Sequence, residues 1–170
     1  MLTLARAHAL LDGHLANSSK AAHSRVVAHL MRRIAEVLQE DAQLWGIVGL
    51  CHDLDDLETK GQRSLHGIVT AQWLEGGLPP EALEAIRAHD HRTGGLAATE
   101  IANALKLTDA LAILDEHAGR EAIILIDTYD GWRHLAQPLE NRPYLLPIIS
   151  KHRMPNIPCL RESFDNAPRQ

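Results

Sequence analysis

Residues 44–56 read LWGIVGLCHDLDD, an almost wholly apolar run that ends abruptly in a histidine, an aspartate and two further acids. Leu44, Trp45, Ile47, Val48, Leu50 and Cys51 surround Gly46 and Gly49, whose missing side chains let neighbours approach closely, so the run predicts a buried helix. Such a helix delivers His52 and Asp53 to the edge of the core. An unpaired carboxylate is costly to bury, and a bound cation is one of the few partners that offset the cost. What matters next is whether other segments bring further ligands to Asp53.

On the N-terminal side, Leu4, Ala7, Leu10, Leu11 and Leu15 recur at helical spacing through residues 3–16, and Asn17-Ser18-Ser19 reads as the cap of the next helix. From Ser19 to Gln39, Val26, Val27, Leu30, Met31, Ile34, Val37 and Leu38 form one stripe. At about 100° per residue His23 falls within that stripe, whereas His29 falls among Arg25, Arg32, Arg33 and Glu36 on the polar face. Asp41 is placed to cap the helix of the apolar run, which is expected to end between Asp53 and Leu57.

On the C-terminal side, a polar loop at 58–63 leads to Ser64, read as the cap of a helix over 65–77 that carries His66 in its first turn and stops at Gly76-Gly77. Pro79-Pro80 opens the following helix, where Ala82, Ala85, Ile86 and His89 share one arc and His91 lies elsewhere. After a loop at 92–95, Thr99 caps a helix to about His117 that is apolar nearly all round and carries Asp109 on one face. Residues 122–129 are a short apolar run, read as helix. Six of the eight prolines follow, between Pro138 and Pro168, and predict an extended extension. The fold class expected is therefore all-α, a bundle of about six to seven helices over residues 1–136 with a proline-rich extension at 137–170.

Composition narrows the function classes. The chain of 170 residues suits one domain with its own core. Its 17 basic and 22 acidic residues leave a formal charge of −5, which argues against nucleic acid or an anionic membrane as the main partner and favours a small molecule. Two cysteines, Cys51 and Cys159, make no disulfide scaffold, and no run approaches the length of a membrane span, so a cytoplasmic protein is expected. Histidine is the outlier: eleven, against six aromatic residues.

Four imidazoles and two carboxylates, His23, the pair His52-Asp53, His66, His89 and Asp109, thus come from five helices without a thiolate. That donor set suits iron or manganese, with zinc, cobalt or nickel possible. Two ions can share six such ligands if a carboxylate bridges them. The order of these residues, H, then HD, then H, H and D, all on helices, resembles the HD-domain superfamily of metal-dependent phosphohydrolases over roughly residues 19–116. From Leu65 to Asp109 the chain is similar to small stand-alone bacterial members that hydrolyse symmetrical dinucleoside tetraphosphates. The resemblance implies that His23, His52, Asp53 and Asp109 hold one ion, that Asp53 bridges, and that His66 with His89 holds the second. Many relatives carry a lysine soon after the HD pair, where this chain has Leu54-Asp55-Asp56.

The activity expected on that resemblance is hydrolysis of a phosphoester or phosphoanhydride in a nucleotide-like substrate by a metal-activated hydroxide, with His52 and Asp53 at the reacting centre. Lys60, Arg63 and Arg92 are the nearest cations in sequence for the substrate phosphate, and Asp55 and Asp56 read as solvated groups or as groups orienting a ligand histidine. The same ligand set also serves mixed-valent di-iron oxygenases of the superfamily, and relatives lacking ligands act as signalling modules. The apolar residues among the C-terminal prolines suggest a homodimer surface.

Overall fold

The computed structural model describes residues 1–16, 18–125, 139–152 and 167, and among these it is all-helical. Helix α1 spans Leu4–Leu15, α2 Ser19–Leu38, α3 Ala42–Cys51, α4 Ile68–Trp73, α5 Pro80–Ala88, α6 Glu100–Ala118, α7 Glu121–Leu125 and α8 Leu145–His152. Single 3₁₀ turns occupy Arg63–Leu65 and His91–Thr93.

Side chains placed at the helix starts account for the boundaries. Ser18 Oγ accepts from the Ala21 amide, Asp41 Oδ1 from Gln43 and Leu44, and Thr99 Oγ1 from Ala102, each satisfying a donor that the first turn leaves open. Pro80 sits in the first turn of α5, where its missing N–H costs nothing.

The apolar stripe of α2 packs along α3 and against α6, with Leu30, Met31, Ile34, Leu105, Leu111 and Leu114 essentially inaccessible. Each such side chain contributes about 1.5–3 kcal/mol through burial. At the α2–α3 crossing Gly49 lies directly on Ala28: a Cβ there would stand 2.6 Å from Ala28 Cα and 2.8 Å from its nitrogen. The close approach brings the C-terminal end of α3 beside the first turns of α2. No helix of the described residues is long and apolar enough to cross a membrane.

Three expectations change. The apolar run ends as helix at Cys51, because the His52 imidazole donates to the Gly49 carbonyl that a further turn would engage. His66 is not in the first turn of a helix capped by Ser64. It stands between the 3₁₀ turn and α4, and Gly67 at φ +79° makes the break that lets α4 start only at Ile68. The proline-rich C-terminal stretch is not extended throughout, since Leu145–His152 is helical and packs on α6. Pro147 falls in the first turn of that helix, where a backbone donor is not required. The apolar run at 122–129 is helical at its start, and the rest of it lies outside the described residues.

Candidate metal centre

Two histidines occupy equivalent positions on different helices. His52 caps α3 and His89 caps α5, and each uses Nδ1 to donate to the carbonyl three residues back, Gly49 O at 2.8 Å and Ile86 O at 2.7 Å. A carbonyl only accepts, so Nδ1 carries a proton and Nε2 is the nitrogen left to face the interior. His23 and His66 are oriented by carboxylates instead: His23 Nδ1 lies 2.7 Å from Glu116 Oε1, and His66 Nδ1 lies 2.8 Å from Asp55 Oδ1. All four rings therefore commit Nδ1 outward and turn Nε2 to a common centre.

Asp53 occupies that centre, with its side chain 2 % exposed. Its Oδ1 lies 2.9 Å from His66 Nε2, 3.3 Å from His89 Nε2 and 3.5 Å from His52 Nε2. Its Oδ2 faces the other way, 3.9 Å from His23 Nε2 and 2.8 Å from Lys20 Nζ. Asp109 closes the His23 side, with Oδ1 2.9 Å from His23 Nε2 and 3.7 Å from His52 Nε2. All six residues singled out in the sequence are thereby brought together.

Electrostatics follow from this packing. Burial disfavours the charged forms of Asp53, Asp109, His23 and His66, but their partners outweigh it. Asp53 is held well below the usual carboxylate range against burial by His52, Lys20, His66 and His89, and Asp109 by His23 and His52. Burial lowers His23 and His66, yet Asp109 with Glu116 pushes His23 up to about 9, and Asp53 with Asp55 pushes His66 up to about 10.

The donor set fits a metal. His23, His52 and Asp109 offer ligand atoms within 4.8 Å of one another, and so do His52, Asp53 and His89. Among the described residues, His52 Nε2 is a fully buried nitrogen without a hydrogen-bond partner, shared by both groups. A buried polar atom left open in this way costs about 1–3 kcal/mol unless something ligates it. An HD domain family model matches residues 21–114. The chain belongs to the HD domain family. No curated protein and no solved structure matches it. The family matches the sequence's resemblance to the metal-dependent phosphohydrolase superfamily, and the His/Asp groups lie inside the matched segment.

Around the candidate ligands of this HD domain, a cavity of about 50 Å³ is walled by Lys20, Lys106 and Arg92 on its polar side and by Tyr144, Leu145 and Ile148 from the start of α8. Of the three cations expected to meet phosphate, Arg92 lines this cavity, held by Asp90 at 2.9 Å. Lys60 is exposed, and Arg63 is paired to Asp56 at 2.7 Å, both away from the cavity wall. Lys20 and Lys106 were not anticipated. Each stands three residues before a candidate ligand on the same helix, Lys20 before His23 and Lys106 before Asp109, which is the spacing that puts two side chains on one face. That spacing was the available signal.

Asp55 is fully buried and serves as an orienting group, accepting from Gly67 N at 2.8 Å and Thr70 N at 2.9 Å besides His66. Glu116 does the same for His23 and was also missed, being 93 residues away in sequence. Its side chain is partly exposed, so Glu116→Ala is expected to keep the fold while lowering metal affinity about 10–100-fold, the usual effect of losing such a partner. Competition against a fluorescent chelator measures it. Because His23 and His66 are raised above neutrality, ion binding at pH 7 must displace their Nε2 protons. Apparent metal affinity is therefore expected to rise from pH 6 towards pH 9, and the binding heat at pH 7 to vary with the ionisation enthalpy of the buffer.

Proposed function

We propose that this HD domain is a phosphohydrolase that cleaves a phosphoester or phosphoanhydride of a nucleotide-like substrate using two transition-metal ions, iron or manganese in preference to zinc, cobalt or nickel. The observation that carries the reading is the convergence of four Nε2 atoms on Asp53, with every Nδ1 already engaged elsewhere. Bound ions would supply an activated water at neutral pH and positive charge for the phosphoryl oxygens.

The chain's own residues then have distinct tasks. Asp53, with Oδ1 towards His66, His89 and His52 and Oδ2 towards His23, would help hold the ions on both of its sides. Lys20 and Lys106 bring ammonium groups to the cavity wall, where an anionic phosphoryl group would be drawn in and held. Arg92, whose Nε and Nη2 are held by Asp90, has Nη1 left to meet the same group. Leu145 and Ile148 keep one wall apolar, limiting water access and strengthening the charges inside. Room for only a few water-sized groups matches a phosphoryl group, with the rest of the substrate lying outside.

Elemental analysis of the purified protein, followed by a screen of mononucleotides, dinucleotides and dinucleoside polyphosphates, tests the reading. Phosphate or nucleotide release that stops with a chelator and returns with manganese or iron is the expected result. Oxygen uptake by iron-loaded protein, without release of phosphate from any substrate in the panel, would replace it with the oxygenase reading.

A further inference from the structure

A groove of about 450 Å³ opens between α1, α2 and α3, and none of its walls belongs to the metal centre. At about 100° per residue, Arg25, Arg32 and Glu36 lie within about 40° of the direction directly opposite His23 on α2. The groove and the ligands therefore use opposite faces of one helix. Ala28, Gly46 and Leu50 form an apolar floor, and three guanidinium groups against one carboxylate stand around it, in a chain whose net charge is −5.

The three arginines differ. Arg25 is paired with Asp12 at 2.8 Å and Arg33 with Glu36 at 2.5 Å. Arg32 has no carboxylate partner within ion-pair distance among the described residues. Its aliphatic stem instead lies over Gly46: a Cβ on that glycine would stand 2.6 Å from Arg32 Cγ and 2.8 Å from Cδ. A glycine inside a helix costs about 1 kcal/mol relative to alanine. Here the missing side chain is the space in which the Arg32 stem rests, so the guanidinium is held over the groove rather than swinging in solvent.

We propose that this groove is a second ligand site, for a small organic anion bearing a ring-sized apolar body, with Arg32 as the anchoring cation. A guanidinium free of a protein carboxylate is suited to bind a phosphate, sulfonate or carboxylate through its planar fork. The floor of Ala28, Gly46 and Leu50 accepts the apolar body, and the volume lies within the range of small-molecule sites, about 300–1,000 Å³. The site stands on its own observations and does not depend on the activity of the metal centre.

Calorimetric titration of the full chain in the presence of chelator, with AMP and with naphthalene-1-sulfonate as probes, tests it. Saturable binding of at least one probe is expected, weakened at least about tenfold in Arg32→Gln, which keeps the stem over Gly46 but removes the charge. Asp53→Ala, remote from the groove, should bind that probe as the wild type does. Arg32→Ala with circular dichroism serves as a second variant, since Arg32 is exposed and its loss leaves the core intact. Absence of saturable binding, a smaller loss in Arg32→Gln, or loss of binding in Asp53→Ala would each overturn the proposal, the last by locating the probe at the metal centre.

Discussion

Asp53→Ala is expected to lose bound metal and hydrolytic activity together. One carboxylate oxygen faces three imidazoles and the other faces His23 and Lys20, so no neighbouring group can take over both directions. Loss of a group that merely orients a ligand lowers affinity about 10–100-fold, and removal of the carboxylate proposed to hold the ions must exceed that range. The variant also leaves Lys20, His23 and His66 as cations facing one another with only Asp109, Glu116 and Asp55 to balance them. Asp53→Asn separates the two effects, because it keeps the shape of the side chain and removes only the charge. Metal content by elemental analysis and phosphate release are the readouts. Wild-type turnover in either variant would remove Asp53 from the chemistry and with it the phosphohydrolase reading.

Gly49→Ala is expected to be the most disruptive single methyl group in the α2–α3 pair. On the side facing α2 its Cβ would meet only backbone, with Ala28 Cα at 2.6 Å, Ala28 N at 2.8 Å and Val27 C at 3.1 Å. Backbone inside a packed helix cannot rotate away as a side chain can, so the two helices must separate. Overpacking of this kind costs about 1–3 kcal/mol. For a chain of this size each kcal/mol lowers Tm by roughly 2–4 °C. Separation would also shift His52, which hangs from the Gly49 carbonyl at the end of α3, relative to His23 on α2. Thermal unfolding should show the lower Tm, and a metal titration of the folded variant should show weaker binding. A Tm equal to wild type would mean that the crossing has slack this geometry does not allow.

The helices were legible in the sequence because their causes are local. Ser18, Asp41 and Thr99 cap as expected, Pro80 opens α5, and the apolar stripe of α2 turns His23 inward. Six candidate ligands could be chosen because a histidine or carboxylate among apolar neighbours costs free energy unless it has a partner. Local pattern misled where a side chain competes with the backbone: His52 ends α3 by taking the Gly49 carbonyl, and Gly67 at positive φ separates His66 from α4.

Periodicity along the chain determined which elements form and which side chains face the core, since helical spacing and capping are properties of neighbours a few residues apart. Only the tertiary structure decided what those side chains meet. Glu116 reaches His23 across 93 residues and Lys20 reaches Asp53 across 33, pairings that no local spacing specifies. The α2–α3 contact at Gly49, the start of α8 at the cavity wall and the groove beneath Arg32 likewise exist only once the helices have packed, because they depend on the distance between elements rather than on the order of residues within one.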